Sequence, residues 1–161
     1  MINEKNTKLF IYIALVFLVL AIDRASKTII LNILDNVGTV DVYINSFLSL
    51  YLVWNKGIGF GLFSSDQNYI YNGITLFILF INLIILYLIY KEKSPKTYFL
   101  AIILGGSCGN LFDRYYYSAV PDFIDINFKG YHWFIFNVAD IFITLGIICL
   151  ILDEFLNYKK Q

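Results

Sequence analysis

Two carboxylates set among apolar residues are the groups of this chain best suited to chemistry. Asp140 lies in a long apolar run, His132 to Leu152, which reads as a membrane helix; it falls eight residues beyond the start of that run. A charge inside a span costs about 2.5 to 3.5 kcal/mol on insertion scales and is tolerated mainly where it faces protein or water. A helix starting at His132 would carry Asp140 about 12 Å below its outer end. Asn137 and Thr144 would then lie a turn away on the same face. Asp122 follows Pro121 and precedes Phe123 and Ile124, an acid in an apolar connection that can dip toward that helix. Two carboxylates in a confined site cannot both ionise cheaply, so one keeps a proton while the other takes one from water. Their titration then belongs to the pair. That division of labour can hydrolyse a peptide bond without a metal or a covalent intermediate. A packing role stays open at this point, with Asp140 in a polar seam between helices and Asp122 a surface acid.

Other polar residues gather near these acids in the pattern. Ala101, Gly105 and Gly109 recur every four residues, the small-residue spacing that lets helix backbones approach closely. Gly106, Asn110 and the Asp113-Arg114 pair continue an adjacent face toward the same end of that helix. Asn110 can bond Asn137 or position an acid across the gap, and the residue types allow either. Asp23 and Lys27 stand four apart on the first helix and can pair. Alternatively Lys27 or Arg24 reaches a lipid phosphate or a substrate carboxylate. In Asn55-Lys56-Gly57-Ile58-Gly59-Phe60-Gly61 the alternate glycines permit tight turns or close backbone approach, and Asn55 can bond backbone or ligand. A serine or cysteine hydrolase is poorly supported: Ser107 and Cys108 have only His132 as a base, and no motif joins them. Asp113, Asp122, Asp125, Asp140 and His132 contain enough donors for a metal but lack metal-ligand spacing. No metal or cofactor is therefore expected.

The elements that must position these groups are membrane spans. The 161 residues are 59% hydrophobic and 15% charged, far more apolar than a soluble domain needs. Equal numbers of cationic and anionic side chains, 12 each, point away from a nucleic-acid partner. Cys108 and Cys149 sit in apolar runs and suggest no disulfide framework. Four spans are expected, at about 9–31, 69–90, 97–114 and 132–152, in a single membrane domain. The first reads as a retained span because it runs straight into Asp23-Arg24 with no small-x-small cleavage site. Lys5 and Lys8, Lys91, Lys93 and Lys96, and Lys159 and Lys160 flank these spans on one side. The positive-inside rule makes that side cytoplasmic, with both termini there. The connections at about 32–68 and 115–131 then lie outside. In the first, Val40, Val42 and Ile44 alternate with polar residues and Phe47 to Trp54 is β-branched and aromatic, so short strands are expected. Phe60, Leu62 and Phe63 suit the membrane interface. Pro95 and Pro121 are expected to break the cytoplasmic turn and the second outer loop.

Five segments, in order, resemble the bacterial lipoprotein signal peptidases, signal peptidase II, over essentially the whole chain. Asp23 to Lys27 is similar to that family's D-x-x-x-K, and Asn55 to Phe60 to its N-x-G-x-[small]-F loop. Gly109 to Arg114 is similar to G-N-x-x-D-R, Val120 to Phe123 to V-x-D-F, and Phe136 to Asp140 to F-N-x-A-D. The resemblance implies an all-α polytopic membrane protein with four transmembrane helices and a small extracytoplasmic β-rich region, seated in the bacterial inner membrane. It implies an aspartyl endopeptidase that removes the signal peptide of prolipoproteins just before a diacylglyceryl-modified cysteine, with membrane phospholipid around it. Asp122 and Asp140 would be the catalytic pair. Asn110, Asp113, Arg114 and Asn137 would support the site, Asn55 and Gly57 would lie in the substrate-facing region, and Asp23 with Lys27 would serve integrity or substrate handling. Arg24 stands where the family often has glutamine, and Gly59 where it often has alanine. Two other classes compete: a non-enzymatic lipid-binding or helper protein whose polar residues only pack helices, and a small transporter with Asp140 as proton carrier.

Overall fold

The computed structural model describes residues 4–57, 68–91, 94–128 and 131–158. Four helices and four strands alternate in blocks: α1 (Glu4–Val37), β1 (Asp41–Asn45), β2 (Leu48–Asn55), α2 (Asn68–Lys91), α3 (Lys96–Tyr117), β3 (Val120–Phe128), β4 (Tyr131–Phe136) and α4 (Val138–Tyr158). The strands form one antiparallel sheet in the order β1-β2-β3-β4. Two helical stretches, Thr7–Val37 and Tyr69–Lys91, are long and apolar enough to cross a membrane by length and composition.

α3 is the axial element, packed on α1, α2 and α4. Its glycines make that possible. A methyl group at Gly105 would lie 2.8 Å from the Val16 carbonyl oxygen of α1, and one at Gly106 would lie 2.7 Å from the Ala139 carbonyl oxygen of α4. The spacing of small residues therefore lets α3 approach α1 and α4 to backbone contact. Below the crossing, Tyr12, Ile85, Ile89, Ala101, Ile103 and Leu104 form an apolar core. Above it, Ile30, Val40 and Phe123 form a second core where the C-terminal end of α1 meets the sheet. Between these two cores runs a layer of buried polar residues.

Helix ends are set by local chemistry. α1 stops at Gly38, whose φ of 83° is open to glycine and whose N–H reaches the Leu34 carbonyl at 2.7 Å. α3 stops at Ser118, also left-handed with φ 56°, and two residues later the chain is in β3.

The strands expected in 40–54 are present as β1 and β2. Three features differ from expectation. The chain is not all-α outside one small region, because the connection between α3 and α4 also builds β3 and β4. Pro121 does not break that connection: it is the second residue of β3, opposite Trp54. Residues 131–136 form β4 rather than the start of the fourth helix, since an aromatic and β-branched run satisfies a strand as readily as a span. Phe60, Leu62, Phe63, Gly59, Lys93, Lys159 and Lys160 lie outside the described residues.

Candidate active site

The late start of α4 changes the setting of Asp140. Asn137 is the residue before the helix, so Asp140 stands in its first turn and not 12 Å below its top. Asn137 Oδ1 accepts from the Asp140 backbone N–H at 3.1 Å, and Asp140 Oδ2 accepts from the Asn137 backbone N–H at 3.1 Å. This reciprocal pair has the logic of a capping box, with an aspartate in the place of the usual glutamate. The carboxylate is thereby fixed at the positive end of the helix dipole. Its other oxygen, Oδ1, accepts from Asn110 Nδ2 at 2.9 Å. Of the two partners open to Asn110, the structure selects the acid.

Asp122 is brought to the same place by the sheet. β3 carries it, β2 lies alongside, and Asn55 at the end of β2 donates Nδ2 to Asp122 Oδ2 at 2.8 Å. Asn137 Nδ2 donates to Asp122 Oδ1 at 2.6 Å. One side chain thus bonds the Asp122 carboxylate and the Asp140 backbone, while its own backbone N–H holds the Asp140 carboxylate. Burial, and next the charge of Asp140, push the Asp122 carboxyl up to about 7, against the pull of the Asn55 and Asn137 donors.

Both acids line a cavity of about 290 Å³, with Asn55, Asn110, Arg114 and Asn137 also in its wall. Arg114 is 4% exposed, and its Nη2 donates to the Gly57 carbonyl oxygen. Its Nε and Nη1 have no partner among the described residues. Gly57 returns its N–H to Asn55 Oδ1 at 2.7 Å, so this short turn orients the amide that holds Asp122.

A second polar group stands behind the first. Lys27, 1% exposed, donates Nζ to Asp113 Oδ2 at 2.6 Å, to Asn110 Oδ1 at 2.8 Å and to Asp23 at 2.9 Å. Arg24 forms a two-pronged bond to Asp113, at 2.5 and 2.7 Å, and reaches Asp23 Oδ2 at 2.8 Å. Two cations and two anions cancel, which offsets the cost of burying Asp23, Asp113 and Lys27, while the Arg24 side chain stays partly exposed. Asp23 also reaches a third element, since its Oδ1 accepts from the Ala139 backbone N–H at 3.1 Å. α1 thus caps the first turn of α4, and Asn110 relays the Lys27 position to Asp140. Lys27 is fully engaged inside the protein, so it is not the group that reaches a lipid or substrate anion.

Asp122, Asp140, Asn55, Asn110, Arg114 and Asn137 therefore share one cavity, with Gly57 bracing it. Asp23, Lys27 and Asp113 act through neighbours. Arg24 joins them in the structure through Asp113 and Asp23, where the sequence offers it only as a contact to a lipid phosphate or substrate carboxylate. Its signal is the Asp23-Arg24 dipeptide, which faces its counterpart Asp113-Arg114 across the α1–α3 packing. His132 lies on β4 and Ser107 on α3, and the His132 side chain lies outside the described residues.

Fold and site together define a helical membrane-associated protein built around a paired-carboxylate cavity. The sequence model described as Signal peptidase (SPase) II matches residues 15–156. A lipoprotein signal peptidase of Pelagibacter ubique is 50% identical over 160 residues, covering 99% of this chain and 95% of its own. One from Anaplasma phagocytophilum is 38% identical over 151 residues, covering 91% and 93%. A bacterial membrane enzyme solved by the in meso method at 2.3 Å shares the fold, with TM-score 0.72 and 24% identity over 93% of this chain and 90% of that one. The chain belongs to the signal peptidase II family, and it is an aspartyl-type peptidase.

Proposed function

We propose that Asp122 and Asp140 are the catalytic pair of an endopeptidase that removes the signal peptide of a prolipoprotein immediately before its diacylglyceryl-modified cysteine. Asn137 carries this reading: by bonding both acids it holds them at one cavity, where a single water can meet both. The pair holds one proton, which we place on Asp122, the carboxyl pushed up to about 7. Asp140 takes a proton from the water, whose oxygen attacks the scissile carbonyl carbon. Asp122 gives its proton to the carbonyl oxygen. The tetrahedral species collapses as Asp140 passes its proton to the departing amine nitrogen and Asp122 takes one back from a hydroxyl of the diol, which restores the singly protonated pair. Arg114 supplies N–H donors beside these events.

In this reading all four helices cross the bilayer, both termini are cytoplasmic, and the sheet lies at the outer surface. Lys5, Lys8, Lys91, Lys93, Lys96, Lys159 and Lys160 support that direction. The signal peptide reaches the cavity sideways from the membrane, its lipidated end staying among phospholipid acyl chains.

The test uses purified protein, a diacylglyceryl-modified precursor and its unmodified twin, with and without chelator. The lipidated precursor alone should be cleaved, chelator or not. Asp122→Asn and Asp140→Asn should each lower turnover by about a thousandfold, within the range of acid–base contributions. Near-normal turnover in either variant would sink the assignment.

A further inference from the structure

The cavity continues past the two acids, away from the sheet. Its deeper lining carries two hydroxyls, half-buried Ser107 on α3 and exposed Thr144 on α4, among Ile78, Ile143 and Ile147. α3 runs toward the sheet and α4 away from it. Ser107 therefore lies about 4.5 Å deeper than Asn110, and Thr144 about 6 Å deeper than Asp140. Gly106 of α3 meets Ala139 and Ile143 of α4, and Gly146 of α4 meets Ile103 of α3, so Ser107 stands nearer the acids and Thr144 is the deeper of the two.

Their hydrogen bonding sets them apart. Ser26, Thr28 and Thr75 turn their hydroxyls back to backbone carbonyls of the preceding turn, at 2.8, 2.8 and 2.9 Å. That is the usual fate of a hydroxyl inside a helix. Ser107 and Thr144 make no such bond, nor any other side-chain hydrogen bond among the described residues. Two unused donor-acceptor groups in an otherwise apolar wall are placed for something that enters the cavity.

What enters must bring unpaired backbone. A peptide bond attacked by a water between two carboxylates has to leave its helix, and an extended segment at membrane depth exposes N–H and C=O groups. Each costs several kcal/mol in hydrocarbon unless it finds a partner. Extended chain advances about 3.3 Å per residue, so Thr144, about 6 Å below Asp140, lies about two residues from the scissile bond on the signal-peptide side, and Ser107 lies closer to that bond. We propose that Ser107 and Thr144 bond the main chain of the substrate within about two residues before the cleaved bond, Thr144 the farther of the two, and hold that segment extended. This rests on the assignment of Asp122 and Asp140 above. The hydroxyls are positioning groups toward the reacting bond and read backbone, not side-chain identity.

Ser107→Ala and Thr144→Val remove the hydroxyls with little change in shape. Each should lower kcat/KM for the lipidated precursor by about tenfold, mainly through KM, as expected for the loss of one hydrogen bond in an apolar setting. Thr144→Ser should restore most of the loss. A precursor with an ester in place of the amide two residues before the cleaved bond lacks one N–H. It should lose less in the double variant than in the wild type, because the partner is already gone. Variants that keep kcat/KM within twofold, or an ester penalty identical in both proteins, would overturn the proposal. Those outcomes leave the catalytic pair standing while Asp122→Asn and Asp140→Asn remain inactive. Cleavage by those two variants would instead remove the reading on which the hydroxyls depend.

Discussion

At the residue scale the site works by assigning each carboxylate a different set of donors. Asp140 takes a backbone N–H at the end of a helix and the amide of Asn110, while Asp122 takes two side-chain amides in a buried strand. Asp122 is pushed up to about 7 by burial and then by Asp140, so its protonated form is the one favoured below that pH. Activity should accordingly decline as pH rises through about 7 and Asp122 gives up its proton. It should also decline in acid, where the carboxylate that serves as base is neutralised, giving a bell-shaped profile. Asn55→Leu removes a donor that favours charged Asp122, so the alkaline limb should move to higher pH while the maximum rate drops. A pH–rate profile on the purified variant checks this; an unmoved alkaline limb would show that Asp122 is not the titrating group. The identity of both acids is legible from the sequence, because an aspartate in an apolar run is conspicuous. Their mutual geometry is not. Asn137-x-x-Asp140 reads as two residues on one helix face until the helix start is known, and only then as a reciprocal cap.

At the scale of elements, the position of the acids depends on how closely three helices meet. Gly106 lets α4 approach so that Asn110 of α3 spans to Asp140, and a methyl group at Gly109 would press on the Asp23 carboxylate. Gly106→Ala and Gly109→Ala should each destabilise the protein by about 1 to 3 kcal/mol, the range for overpacking. They should also lower turnover, since Asp140 is held through Asn110 and through the Asp23 cap on Ala139. Gly73 in α2 offers the contrast, with open space where its side chain would be. Gly73→Ala should be neutral or stabilising by up to about 1 kcal/mol from helix propensity alone. Thermal melting in detergent together with turnover distinguishes the two behaviours; equal melting for all three would mean the close approaches do not matter. The small-residue spacing of α3 is readable in the sequence, and so are β1 from its alternation and β2 from its β-branched and aromatic residues. β3 and β4 are not: Pro121 argues against a strand, and Tyr131 to Phe136 is apolar enough to pass for the top of a span. Sheet pairing with β2, a partner far away in the chain, is what decides β3, and β4 then pairs with β3.

For the whole molecule, a charged and amide-rich layer lies between an apolar helical core and a second core beneath the sheet. α1 ties the three together. Its 34 residues extend about 51 Å, well beyond a 30 Å hydrocarbon layer, so it reaches past the bilayer on at least one side. In the direction proposed above, with the lysine-rich ends inside, the excess length would carry the sheet outward and leave Asp23, Lys27 and the cavity near the outer boundary. That arrangement makes a definite labelling pattern. In a background of Cys108→Ala and Cys149→Ala, a single cysteine introduced at Thr39, exposed between α1 and β1, should react with a membrane-impermeant maleimide added to intact spheroplasts. One introduced at Lys91, exposed at the end of α2, or at Asn157, exposed near the end of α4, should react only after the membrane is opened. Outside labelling at Asn157 but not at Thr39 would invert the molecule. Labelling of Lys91 and Thr39 from the same side would mean that α2 does not cross, and the cavity would then open toward the wrong face for a secreted precursor.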